Sequence, residues 1–203
     1  FDLSAITSFS GLETINMAAT DKVATSITIN QTGSTDFGGA LTGATGTAQT
    51  LSLSDSGDAA IDITGVTNTK IETISLVHDD DDLKIDVDNL TNVTAINGVA
   101  SGNAENLVLS GASDFNFVTI ALSNINIKAT ALEAQTIASA VGAQTIDLAA
   151  TGAADILEFA STTVGDTVTN FSGGVDKIKY DSAATEAAAV NDKQIAVIAD
   201  LVT

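Results

Sequence analysis

The sequence predicts an all-β fold, a β-solenoid of short stacked strands, on three observations. Short runs alternate apolar and polar residues, the centres of those runs recur about every 11 residues, and the apolar residues are small and aliphatic with no proline anywhere in the chain. Alternation with a period of two marks a strand with one buried face. Regular spacing with a recurring strand sequence marks stacked coils. The competing reading is an antiparallel β-sandwich with strands about every 10 to 12 residues. A sandwich, however, is usually marked by core aromatics and hairpin turns, and only Asn97-Gly98 fits a hairpin signal here.

The alternating runs are Ser26–Asn30, Thr50–Ser54, Ala60–Thr64, Asn106–Ser110 and Asn124–Lys128, flanked by Gly, Asn and Asp turn residues. Ile63, Ile74, Ile85, Ile96, Leu107 and Val118 recur at one even interval. Ile127, Ile137, Ile146, Ile156, Val168 and Ile178 continue the series at slightly less regular steps. Two strands per coil give a repeat of roughly 22 residues, a length typical of stacked-coil proteins. A short motif recurs as well, an aliphatic residue, then Glu or Gln, then Thr, then Ile or Leu. It occurs at Leu12–Ile15, Ala48–Leu51, Ile71–Ile74, Ala134–Ile137 and Ala143–Ile146. Thr14 and Thr73 are expected at equivalent strand positions, with Ile15 and Ile74 inside. The solenoid domain is read over 1–180. Residues 181–203 change character, with an Ala-rich stretch that Asp181 or Ser182 could cap as a short helix and a run at 194–202 open to helix or strand. They read as a cap or the start of a further module.

Composition bounds function. The 203 residues suffice for one sizeable domain, and 44% hydrophobic content argues against disorder. With 4% aromatics and no Trp, the core is expected to be Ile, Leu, Val and Ala. The net charge of −19, from 26 acidic residues against 7 Lys and no Arg, disfavours nucleic acid and anionic membranes as partners. It favours cations and solvent. No Cys is present, so disulfides and thiolate metal sites are excluded. Neither a signal peptide nor an apolar run of membrane-spanning length is visible. The chain starts in mid-pattern at Phe1-Asp2-Leu3, as a piece of a longer protein would.

Enzyme chemistry finds little support. One His, no Cys and no Arg remove most nucleophile–base pairs. A β-helical polysaccharide-cleaving enzyme, the most distant of the readings weighed, would bring basic residues to an acidic sugar, and seven scattered Lys suggest no such cleft. The glycines between Gly38 and Gly46 lack the following Lys of a phosphate loop. Two acidic regions could hold Ca²⁺, which wants several oxygen ligands. One is His78 with Asp79, Asp80, Asp81 and Asp82, followed by Asp86 and Asp88; a solvated acidic loop is the competing reading, and His78 reads as a surface residue. The other is 151–180, where turns carrying Asp155, Asp166 and Asp176 each feed a short apolar strand.

The run Ala154-Asp-Ile-Leu-Glu-Phe, Gly165-Asp-Thr-Val-Thr-Asn-Phe-Ser, Gly174-Val-Asp-Lys-Ile resembles the degenerate end of calcium-binding repeat arrays in type I secreted RTX proteins. Upstream, Phe9–Met17 and Lys70–Leu76 look like coils of bacterial S-layer proteins of the Caulobacter and Campylobacter kind. The resemblance implies a secreted structural protein of the cell surface, without catalytic activity, that assembles with itself into a calcium-dependent lattice and contacts cell-surface polysaccharide. Its implied Ca²⁺ ligands are Asp155, Asp166 and Asp176, with Asp79 to Asp82 second. The glycines are sparse against the full repeat, which points to a weak or single-ion site. The alternative within the same resemblance is a stalk or binding module of a large secreted adhesin.

Overall fold

A computed structural model describes residues 2–3, 5, 14–16, 25–30, 39–43, 48–54, 60–78, 82–100, 104–130, 132–140, 142–149, 152–159, 166–180 and 195–198. The fold is all-β, and stacked parallel strands make it a β-solenoid. The strands are β1 Asp2–Leu3, β2 Thr14–Asn16, β3 Thr25–Asn30, β4 Ala40–Thr42, β5 Gln49–Ser54, β6 Ile61–Asp62, β7 Thr67–Thr69, β8 Thr73–Leu76, β9 Leu83–Ile85 and β10 Ala95–Asn97. They continue as β11 Glu105–Leu109, β12 Asp114–Asn116, β13 Ala121–Ser123, β14 Ile125–Lys128, β15 Thr136–Ala138, β16 Thr145–Asp147, β17 Ile156–Phe159, β18 Asp166–Thr169, β19 Lys177–Tyr180 and β20 Ile195–Ile198. One 3-10 turn, Val87–Leu90, is the only helical segment among the described residues. None of the described residues forms a helix long and apolar enough to cross a membrane.

The chain divides into two compact units, Phe1–Leu107 with Leu122–Ile125, and Val108–Ala121 with Asn126–Thr203. In the first unit, β1, β3, β5, β8 and β10 stack in parallel, in that order, and β2, β4 and β7 form a second parallel stack. β6 pairs with β9 in a third. Like residues lie over like. Leu51, Ile74 and Ile96 share one inward column, and Ile29, Leu53 and Leu76 share the next. In the second unit, β12, β15, β17 and β19 stack as one parallel sheet, while β14, β16, β18 and β20 stack as another. Ile127, Ile146 and Val168 make one column, and Phe115, Ile137 and Leu157 another.

The pairing explains the spacing in the sequence. Ile61 pairs with Leu83, Asp114 with Thr136 and Thr145 with Thr167, and each pair is separated by two of the even intervals seen in the sequence. One interval is therefore half a coil, the distance from one sheet to the next. Corners use residues in the left-handed region, Lys70, Asn124, Ala149 and Asn170, at φ between 53° and 61°. Asn tolerates that region better than a bulky or β-branched residue does. Two glycines permit a tight approach between coils. A Cβ on Gly43 would collide with the Lys70 carbonyl, and one on Gly98 with the Glu105 carboxylate and the Asn124 carbonyl.

Several expectations change. The core is not purely aliphatic: Phe115, Phe117 and Phe159 are fully buried in the second unit, and the rings of Phe115 and Phe117 stack at 6.4 Å. Phe115 and Phe117, not Val118, point inward, because Val118 falls in the turn after β12. Leu157 rather than Ile156 takes the inward position of β17. Ile178 is a partly exposed residue of β19. Thr14 and Thr73 are not equivalent, since β2 pairs with β4 and β8 with β5 and β10. The motif marks the start of a strand without choosing its sheet. The helix expected near 183–189 lies outside the described residues, while the run at 194–202 contains strand β20, paired with β18.

Burial sets the cost of truncation. Ile74 is completely buried between Leu51 and Ile96, whereas Ile15 is half-buried. Ile74→Ala is expected to destabilise by roughly 2–5 kcal/mol, and Ile15→Ala by clearly less. Thermal melts of the two variants beside the wild type check this, and equal losses would contradict the assignment of inward columns.

Candidate functional site

The structure unites two sets of residues that look separate in the sequence. Among the described residues, eight strands begin with an acid or amide two positions before an aliphatic residue. These are Gln49, Glu72, Glu105, Gln135, Gln144, Asp155, Asp166 and Asp176, leading to Leu51, Ile74, Leu107, Ile137, Ile146, Leu157, Val168 and Ile178. Two positions along a strand return to the same face, so the polar residue shares the inward side. Seven of the eight are buried, and Glu72 is half-buried.

Their hydrogen bonds show why the position is polar. The first N–H of a parallel strand lies before the backbone ladder and would be left without an acceptor. The carboxylate of the following coil takes it. The Gln135 N–H donates to Asp155 Oδ1 at 2.9 Å, and the Asp155 N–H donates to Asp176 Oδ1 at 3.1 Å. The Gln144 N–H donates to Asp166 Oδ1 at 2.8 Å and the Gln49 N–H to Glu72 Oε2 at 2.6 Å. The backbone ladder then begins one residue later, with Ile156 N–H to the Gln135 carbonyl and Thr167 N–H to the Gln144 carbonyl. The amides act on corners instead. Gln135 donates from Nε2 to the Leu109 and Gly111 carbonyls and accepts at Oε1 from the Thr130 N–H. Hydrogen bonds to a charged acceptor contribute roughly 1.5–3 kcal/mol each.

Burial of these carboxylates has an electrostatic cost. Asp155, 1% exposed, has its pKa raised to about 6. Desolvation is the main cause, the Gln135 N–H opposes it, and the neighbouring negative charge of Asp176 adds to it. Asp166, fully buried, is also raised by desolvation, against the Ser139 hydroxyl and the Gln144 N–H, which favour the charged form.

The predicted calcium ligands are therefore placed as follows. Asp155 and Asp176 come together in adjacent coils of the sheet containing β17 and β19. Asp166 stands apart, at the start of β18 in the other sheet. Both oxygens of Asp166 hold protein donors, Gln144 N–H and Ser139 Oγ, and both oxygens of Asp176 do as well, Asp155 N–H and Ser172 N–H. Asp155 spends Oδ1 on Gln135. Asp82 accepts from the backbone N–H and Nδ2 of Asn106, and Asp79, Asp80 and Asp81 lie outside the described residues. Asp86 caps the 3-10 turn, accepting from the Asp88 and Asn89 N–H groups. Among the described residues no group of three or more His, Asp or Glu side chains gathers in a way that could hold a metal ion. Asp155 and Asp176 are the part of the predicted set that the structure brings together, two like charges in neighbouring coils.

The chain matches no family profile, no curated protein and no solved structure with which it was compared.

The sign of the pH dependence follows from Asp155. Its pKa in the folded state, about 6, lies above its ordinary value of 3.8. Between those values the folded state holds a proton that the unfolded state has released, so stability falls as pH rises through about 6. Asp155→Asn keeps an acceptor for the Gln135 N–H without the charge. Its stability relative to wild type is expected to increase between about pH 5 and about pH 7.5 by on the order of 1–2 kcal/mol, in the presence of chelator. Melting curves at the two pH values check it, and parallel curves for both proteins would contradict the buried charge.

Proposed function

We propose that this chain is a non-catalytic structural module of a secreted bacterial cell-surface layer, built to assemble with copies of itself and with Ca²⁺. The observation that carries the reading is the use of the buried polar residues. In the inward frame of the strands, carboxylates and amides hold one coil to the next. Such a site is built for cohesion along a stack. The resemblance of residues 151–180 to the ends of RTX repeat arrays, and of the Glu-Thr-Ile coils to S-layer proteins, supports a surface location and a lattice of copies.

Calcium enters at the Asp155–Asp176 pair, with Asp79 to Asp82 as a second place. A divalent cation between the two carboxylates would offset both the desolvation that chiefly raises the Asp155 pKa and the Asp176 charge that adds to it, and would draw adjacent coils together. Affinity in the range of about 10⁻⁴–10⁻³ M suits extracellular modules. Such a site is empty in a calcium-poor cytosol and filled outside the cell, so folding and assembly would follow export. Cell-surface polysaccharide is the proposed anchor.

The test compares calcium with chelator. At about 1 mM Ca²⁺ the protein is expected to melt at a higher temperature and to form ordered two-dimensional arrays visible by electron microscopy. Asp176→Asn is expected to weaken the calcium-dependent rise in melting temperature. Identical melting and identical assembly with calcium and with chelator would remove calcium from the proposal and leave the acidic residues as solubilising charge.

A further inference from the structure

We propose that Asn97-Gly98 is a modification site built into the corner after β10: there Asn97 deamidates through a succinimide, and it does so only when that corner opens. The chemistry needs neither calcium nor a second copy of the chain.

The chain has thirteen asparagines, and Asn97 alone is followed by glycine. In deamidation the backbone nitrogen of the following residue gives up its proton to solvent base and attacks the side-chain Cγ of the asparagine. A new C–N bond forms, the Cγ–Nδ2 bond breaks, and ammonia leaves with a proton from solvent. The product is a five-membered succinimide, which water opens at either carbonyl to aspartate or isoaspartate. A side chain on the attacking residue shields its nitrogen, and each of the other twelve asparagines is followed by a residue that has one. Glycine shields nothing and leaves the backbone free to turn. Packing fixes that glycine. A Cβ at position 98 would lie 1.9 Å from Glu105 Oε2 and 2.3 Å from the Asn124 carbonyl oxygen, so the folded corner accepts no larger residue. The reactive pair is present because the corner is tight.

The same corner holds the reaction off while it stays folded. The Gly98 N–H, whose nitrogen must attack, donates to the Ser123 carbonyl at 2.8 Å, and the next N–H, that of Val99, donates to Glu105 Oε1 at 3.0 Å. Asn97 Nδ2 donates to Ser75 Oγ at 3.4 Å. β10 lies between β8 and β13, so the two reacting groups are tied to opposite neighbours. Ring closure requires the Asn97 Cβ and the Gly98 nitrogen to eclipse each other about the Cα–C bond, and a strand holds them roughly 120° apart. Reaching that geometry breaks the bond to Ser123. The observed rate is then the rate of the open corner multiplied by its population. Once formed, the product keeps the corner open. Aspartate loses the Nδ2 donor and adds a negative charge to a chain that already carries −19. Isoaspartate inserts a methylene into the main chain and carries Gly98 out of register with Ser123.

The test follows the whole chain in mildly alkaline buffer over weeks, folded and in denaturing urea. Peptide mass spectrometry reads the conversion of each asparagine, and fragmentation distinguishes isoaspartate from aspartate. In urea, Asn97 is expected to convert before any other asparagine. In the folded chain its conversion is expected to be at least about tenfold slower. Gly98→Ala, compared in urea where folding plays no part, is expected to lose the fast conversion. Ile96→Val removes a buried methyl group from β10 and is expected to speed conversion in the folded chain, whereas Ile146→Val, the same truncation in β16, is expected to leave it unchanged. Circular dichroism confirms that both valine variants are folded. Conversion as fast in the folded chain as in urea would overturn the gate. Conversion in urea that begins at another asparagine, or that survives Gly98→Ala, would overturn the site. Equal acceleration by both valine variants would make the opening a property of the whole chain and overturn the corner as its gate, as would no response to either.

Discussion

The structure depends on how the first N–H of each parallel strand finds an acceptor. In a hairpin the turn supplies that partner, but stacked parallel coils contain no hairpins. A buried donor without a partner costs roughly 1–3 kcal/mol, and a solenoid meets the problem at every strand start. Here the solution is a side chain from the next coil. Glu72, Asp155, Asp166 and Asp176 each accept from the coil before them. The aliphatic columns then follow, because the strand that begins with the acid must alternate inward from it.

This arrangement concentrates charge where the protein is least able to solvate it. In the sheet of β15, β17 and β19, successive coils present Gln135, Asp155 and Asp176 at the same height. The amide stands where a third carboxylate would make the repulsion worse, and its Nε2 is used on the Leu109 and Gly111 carbonyls. The other sheet of that unit pairs Gln144 with Asp166 in the same way. Where an amide stands beside an acid, as Gln135 beside Asp155 and Gln144 beside Asp166, the strand start gains a charged acceptor without a second buried charge in contact. Asp155 and Asp176 are two acids in contact; desolvation, with the neighbouring Asp176 charge adding to it, drives the Asp155 pKa up to about 6, and desolvation also raises that of Asp166 beside its amide.

The strands and their stacking were legible in the sequence, because alternation and the half-coil interval are local properties of the chain. Ile63, Ile74, Ile85, Ile96 and Leu107 are all buried as that spacing requires. Sheet membership was not legible. Leu12–Ile15 and Ile71–Ile74 share a motif yet start strands in different stacks, because the partner of a strand is chosen by coil length and corner geometry, which no single motif encodes. The site was half legible. Asp155, Asp166 and Asp176 stood out as residues leading into strands, but their likeness to Gln49, Gln135 and Gln144 was hidden by the change of residue type. The signal was present as a shared frame, an oxygen-bearing side chain two positions before an aliphatic one. Phe115 and Phe117 were obscured for a different reason: the even spacing nominated Val118, and a turn shifts the inward residues towards β12.

The inter-coil acceptor also gives each coil a standard joint. The acid at the start of one strand meets a backbone N–H, a group that every residue except proline possesses, and this chain has no proline. A coil can therefore sit upon any predecessor whose strand lies in register, whatever side chains that predecessor carries. Duplication or deletion of a whole coil leaves a joint of the same kind on both sides. A gene encoding such coils can lengthen or shorten by recombination between repeats without redesigning a core, and drift in the outward residues can then proceed coil by coil while the stack is kept.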